Sequence, residues 1–219
     1  MNITTVLFDL DGTLLPMDQD IFIKAYFGGL AAHLAPHGYE SKKLIDAVWR
    51  GTMAMIQNDG TQTNETVFWN QFAQLYTQEI RQDEPLFAEF YRAGFQNVQK
   101  SCGYNGEASR AVSALKEQGF TLVLATNPIF PAIATESRIA WAGLNREDFA
   151  LYTTYENSSF CKPNPKYYQE ILDKLGLNAA ECAMVGNDVE EVDALRARIA
   201  RESYRLFNET PAVLGGVYV

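Results

Sequence analysis

The chain has 219 residues, 47% hydrophobic and 21% charged, and its 27 Asp and Glu against 18 Lys and Arg give a formal net charge of −9. That length can bury a sizeable core, as one domain or as a core with a smaller companion, and the hydrophobic content is that of an ordinary globular protein. The acidic balance disfavours a nucleic-acid backbone or an anionic membrane surface as partner, so any phosphate the chain binds needs a local positive source.

Cys102, Cys161 and Cys182 are odd in number and scattered, with no CxxC spacing, which predicts free thiols in a reducing compartment. The start of the chain lacks a basic region followed by an apolar stretch, and no apolar run approaches the length of a membrane span. A soluble cytoplasmic protein is expected.

The first element is an apolar run, Val6-Leu7-Phe8, that ends directly in Asp9-Leu10-Asp11-Gly12-Thr13. Side chains at i and i+2 of a strand point the same way, so Asp9 and Asp11 start on one side unless the chain twists at the strand's end, which Gly12 permits. A calcium loop of the EF-hand type would need its glycine where Leu14 stands and a helix in front, and neither condition is met. An ordinary turn accounts for Asp11-Gly12 alone but not for the pattern that follows.

From Asp18 to Val98 the sequence reads as helices with no strand between them. Phe68, Phe72, Leu75 and Tyr76 share one helical face, as do Phe87, Phe90, Tyr91, Gly94, Phe95 and Val98. Such aromatic stripes belong to the core, and Trp49 and Trp69 are expected to pack among these helices, with either able to line a pocket. Breaks are expected at Gly28-Gly29, Pro36, Gly38, Gly51 and the polar stretch Asn58 to Asn64. His33 and His37 stand at i, i+4, but Pro36 interrupts the turn between them and no third ligand is apparent, so no zinc site is expected.

From about Glu107 helix and strand alternate. Ala108, Ala111, Val112 and Leu115 form a helical face with Gly119 as its C-cap, and Phe120 to Ala125 is a β-rich apolar run. A helix between Pro131 and Trp141, a strand near Phe149 to Thr153, a helix from Tyr167 to Leu175 stopped by Gly176, and a short strand from Cys182 to Val185 follow. This order predicts an α/β fold, a parallel sheet with helices on both faces, on which the helical segment is an insertion.

In open parallel sheets ligands bind beyond the carboxyl ends of the strands. Here those ends carry Asp9-Leu10-Asp11, Thr126-Asn127-Pro128 and Gly186-Asn187-Asp188. Between the last two, Lys162 is held in the proline-rich loop Ser159 to Pro165, just before a helix.

On these residues the chain resembles the haloacid dehalogenase-like superfamily of phosphohydrolases. Asp9-Leu10-Asp11-Gly12-Thr13 is similar to its first motif, Thr126-Asn127 to the second, Lys162 to the third, and Gly186-Asn187-Asp188 with the acidic residues after it to the fourth. The four come in the family's order and span nearly the whole chain. The resemblance implies a Rossmann-like core, residues 1–16 and 100–219, with a helical cap, residues 17–99, inserted after the first motif.

The resemblance further implies that Asp9 is the nucleophile, forming an aspartyl-phosphate, and that Asp11 protonates the leaving oxygen and later deprotonates the attacking water. Lys162, Thr126 and the backbone amides of Asn127 and Leu10 would hold the phosphoryl group. Three carboxylates around a phosphate dianion repel it, each unit pair at about 4 Å by roughly 4 kcal/mol at an effective dielectric of 20, so a hard dication is required. Mg²⁺ held by Asp9, Asp188 and the backbone carbonyl of Asp11 is the implied cofactor. A small phosphorylated metabolite is the implied partner, with the chain a monomer or small homo-oligomer.

Two departures from the family pattern stand out. The second acidic residue of the fourth motif falls where this chain has Val192, with Glu190, Glu191 and Asp193 around it, and no glycine separates the following helix from Tyr204-Arg205-Leu206-Phe207. Dehalogenases of the family lack an Asp at the position of Asp11, so its presence argues against that chemistry. A phosphomutase, a phosphonate hydrolase using Lys24, Lys42 or Lys43, and a catalytically idle regulatory module remain the alternatives.

Overall fold

In the computed structural model, which describes residues 3–76, 78–187 and 217–218, the first strand, β1 (Thr5–Phe8), lies at the centre of a sheet. All four of its residues are buried, as a strand covered on both faces requires. Two parallel neighbours flank it, β2 (Thr121–Leu124) and β4 (Cys182–Val185), with Phe8 level with Leu124 on one side and Val185 on the other. This shared register brings the carboxyl ends of three strands to one line. β3 (Leu151–Tyr152) pairs parallel with β2, and β5 (Val217–Tyr218) closes the far edge antiparallel to β4, giving the order β3-β2-β1-β4-β5.

Alternation along the strands sorts the core into two layers. Val6, Phe8, Leu122 and Leu124 face a large apolar cluster that includes α5 (Gly106–Glu117) and α6 (Ala132–Trp141). Leu7, Val123 and Met184 face the opposite side, where α7 (Pro165–Leu175) contributes Tyr167, Tyr168, Ile171 and Leu172. The left-handed Gly176 caps α7 as its sequence predicts, and Asn164 accepts from the Lys166 N–H at its start.

Between β1 and α5 lie α1 (Gln19–Leu34), α2 (Ser41–Ile56), α3 (Asn64–Leu75) and α4 (Glu84–Arg92). Three sequence expectations are corrected here. Gly28-Gly29 does not break α1, nor Gly51 α2. A Cβ on Gly29 would sit 3.3 Å from the Phe90 ring, and one on Gly51 2.5 Å from the Phe68 ring, so these two glycines serve close packing against neighbouring aromatics. The aromatic stripe from Phe87 to Val98 is not one helix: α4 ends at Arg92, and Gly94–Ser101 continues as a 3₁₀ helix. In that tighter helix residues three apart eclipse, which keeps Phe95 and Val98 together in the core.

The polar stretch before α3 does more than break a helix. Asn64 is fully buried; its Nδ2 donates to the Pro128 carbonyl at 3.2 Å, its Oδ1 accepts from Asn58 at 2.9 Å, and its backbone N–H donates to Ser158 at 2.8 Å. These bonds fasten the start of α3 to the loops that follow β2 and β3. Among the described residues no helix is long and apolar enough to cross a membrane.

Candidate active site

The chain leaves β1 through a tight turn. Gly12 has φ of +83°, the Thr13 and Leu15 N–H groups both donate to the Leu10 carbonyl, and Gly12 N–H donates to Leu15. A side chain at Gly12 would be strained by that φ and would also lie 2.5 Å from Asn187 Nδ2, so the turn after β1 and the exit of β4 meet only because the residue is glycine. Thr13 Oγ1 donates to Asn187 Oδ1 at 3.2 Å across the same junction.

Asp9 is 5% exposed, and Lys162, 3% exposed, donates to its Oδ1 at 2.7 Å. A lysine this deep is stable as a cation only beside an anion, and Asp9 is that anion. The loop holding Lys162 has a cis Lys162-Pro163 bond, and the Lys162 N–H donates to Asn127 Oδ1 at 3.3 Å, which ties the loop after β3 to the end of β2.

Thr126 is held by its carbonyl, which accepts from Thr153 Oγ1 at 2.6 Å and the Tyr167 hydroxyl at 2.8 Å. Its own Oγ1 is buried and has no hydrogen-bond partner among the described residues, and the same is true of Asp11 Oδ1. Asp9, Asp11, Thr126, Asn127 and Asn187 line one cavity. Buried oxygens are normally bonded, so two orphans at one cavity mark a place where another polar group fits.

Asp11 and Asp9 therefore open on one cavity but meet different cations. Asp11 Oδ2 is bonded to Nη1 of Arg138, a buried residue of α6. Arg138 is held in turn by the Ala134 carbonyl and Thr135 Oγ1, and its guanidinium stacks 4.6 Å from the Phe130 ring centroid. Burial raises the Asp11 carboxyl above its ordinary value; Arg138 opposes that shift and the charge of Asp9 adds to it.

Of the site residues expected from sequence, Asp9, Asp11, Thr126, Asn127 and Lys162 converge here. Asp188 lies outside the described residues, as do Glu190, Glu191, Asp193 and the segment Tyr204 to Phe207. Sequence reasoning missed Arg138. The available signal was its phase: it follows Ala134 by four positions, on the face of α6 that buries Ala134, Thr135, Ile139 and Trp141.

A family model of haloacid dehalogenase-like hydrolases matches residues 3–197. The chain belongs to this family. It is 29% identical over 194 residues to a phosphoglycolate phosphatase of Agrobacterium fabrum, across 87% of this chain and 75% of that protein. The 2-haloacid dehalogenase of Pseudomonas syringae pv. Tomato shares the fold with a TM-score of 0.58 at 20% identity, over 89% of this chain and 83% of that one. YfnB of Bacillus subtilis, solved bound to magnesium, does so with a TM-score of 0.52 at 18% identity, over 90% and 86%. As a haloacid dehalogenase-like hydrolase the chain is an enzyme with an α/β Rossmann-like core.

Proposed function

We propose that this hydrolase is a Mg²⁺-dependent phosphatase that cleaves a small phosphorylated metabolite through an aspartyl-phosphate on Asp9, with residues 17–99 as a helical cap over the site. The observation that carries the reading is the pair of buried oxygens, Asp11 Oδ1 and Thr126 Oγ1, that have no hydrogen-bond partner among the described residues and stand on the cavity that Asp9 also lines. A phosphoryl oxygen satisfies the threonine hydroxyl, and a leaving-group oxygen satisfies the carboxyl.

A carboxylate oxygen of Asp9 attacks phosphorus as the bond from phosphorus to the ester oxygen breaks. Asp11, protonated, gives its proton to that departing oxygen and so releases an alcohol. Its raised proton affinity suits it to the role. The resulting carboxylate then takes a proton from water as the water attacks the aspartyl-phosphate, which frees inorganic phosphate and regenerates Asp9. Lys162 fixes Asp9 and offsets its charge throughout, while Arg138 holds Asp11 in place. Dehalogenation needs no acid at the place of Asp11, so a buried Asp there supports phosphate-ester chemistry.

The donor set suits Mg²⁺, because the Asp9 carboxylate and the Asp11 carbonyl are hard oxygen ligands at one cavity and Asp188 would complete them. When bound, the ion would polarise the phosphoryl group and offset the carboxylates around it. The magnesium in YfnB and the phosphatase activity named for the Agrobacterium relative support the same reading. Lys162 pairs with Asp9 and Arg138 with Asp11, so a dication would be the added positive charge that an incoming phosphate dianion needs.

The test is phosphate release from a generic aryl phosphate. Asp9→Asn should abolish turnover with the fold intact by circular dichroism, and chelator should abolish turnover of the unaltered chain. Full activity of the variant would remove the nucleophile assignment, and full activity in chelator would remove the metal.

A further inference from the structure

The cavity in front of Asp9 and Asp11 has a volume of about 910 Å³, near the top of the range of roughly 300–1,000 Å³ that encloses drug-sized ligands. A phosphoryl group on a two-carbon alcohol would fill only a small part of it. The rest is walled by rings: Phe27 on α1, Trp49 on α2, Phe68 and Trp69 on α3, Tyr91 on α4, and Phe130 before α6. They are already packed against one another, with Phe27 and Trp49 centroids 5.4 Å apart and tilted, and Phe68 and Trp69 5.4 Å apart edge to face. Such walls offer both ring faces and ring edges at fixed positions.

The charges on the cavity are informative as well. Arg81 and Arg92 line it, but so do Glu84, Glu156, Asp9 and Asp11, and Arg81 is engaged by Glu84 at 3.1 Å. Both oxygens of Glu156 accept from the Ala132 N–H. Lys162 and Arg138 are turned to Asp9 and Asp11. With Asp9 and Asp11 paired, Arg81 and Arg92 balance Glu84 and Glu156 among the described residues, so a leaving group with a carboxylate or second phosphate of its own would be desolvated with no surplus of positive charge to meet it. An uncharged ring would meet no such penalty and would displace water from apolar walls.

We infer that the substrates of this enzyme are phosphate monoesters whose leaving group is an uncharged, ring-bearing alcohol. The inference rests on the phosphatase reading of the same site. It departs from the small anionic substrate named for the Agrobacterium relative.

The experiment measures kcat/KM by phosphate release for phenethyl phosphate, ethyl phosphate and phosphoglycolate, on the whole chain with Mg²⁺. The first two have leaving alcohols of similar acidity, so their ratio reads the cavity and not the chemistry. Burial of the ring predicts a ratio of about tenfold to a hundredfold in favour of phenethyl phosphate, with phosphoglycolate below it. Trp49→Ala, at a position 44% exposed that tolerates truncation, should lower the ratio. A wild-type ratio near one, a ratio unmoved by Trp49→Ala, or preference for phosphoglycolate would overturn the substrate class while leaving the phosphatase intact. No turnover of any of the three would overturn both.

Discussion

Arg138 is the residue whose replacement should reveal most about how the site is held. Arg138→Met keeps the length of the side chain and removes its charge. The side chain is 1% exposed and pairs with Asp11, whose side chain is 24% exposed, so the variant leaves a largely buried carboxylate without its cation. Breaking a fully buried pair costs about 3–5 kcal/mol, and because Asp11 opens on the cavity the lower end applies, about 3 kcal/mol. Loss of the stack on Phe130 is included in that figure. Urea unfolding followed by circular dichroism measures it, and for a chain of this size the midpoint of thermal unfolding should fall by roughly 6–12 °C. The decisive comparison is the same substitution in an Asp11→Asn background, where no charge is stranded. There the cost should shrink by at least about 1 kcal/mol, as expected for residues in contact. Equal costs in the two backgrounds would refute the claim that Arg138 acts on Asp11.

Lys162→Met should lower kcat on any accepted monoester by about 10²-fold or more, since it removes the cation that holds Asp9; a change below tenfold would contradict that role. Gly51→Ala should destabilise the chain by about 1 kcal/mol, because a Cβ there lies 2.5 Å from the Phe68 ring and overpacking outweighs the gain in helix propensity. A stabilised variant would show that the glycine is not required by packing. Burial pushes Cys161 up to about 12, Cys182 to about 11 and the Tyr26 hydroxyl to about 12. Each stays neutral in the folded state where the unfolded chain has begun to ionise. Stability is therefore held below about pH 9 and lost as pH rises toward 11–12, by up to about 1.4 kcal/mol per pH unit for each group. Chemical denaturation across pH 8–11 measures the loss, and a flat profile would contradict the burial of these groups.

The sheet was legible in the sequence because a strand covered on both faces must be a short apolar run, and because a polar residue stands within two positions of the end of each run. Thr5–Phe8, Thr121–Leu124 and Cys182–Val185 follow that rule, and Asp9, Thr126 and Asn187 arrive at one cavity as a result. The helical segment was less legible. A glycine reads as a breaker when only the chain is in view, whereas Gly29 and Gly51 are set by Phe90 and Phe68, which approach from other helices. Arg138 was hidden for a related reason. An arginine in an amphipathic helix reads as solvated, and what buries it is a carboxylate 127 positions away. Asn64 likewise passed for a loop residue until its bonds to Pro128 and Ser158 gave it a structural task.

The central claim is that Asp9 carries the phosphoryl group during turnover. Mixing the enzyme with Mg²⁺ and phenethyl phosphate, quenching in acid and mapping the trapped adduct by peptide mass spectrometry tests it directly. The account predicts one phosphoryl group on the peptide that contains Asp9, absent from Asp9→Asn. Turnover with no adduct on that peptide, or an adduct on another residue, would contradict it.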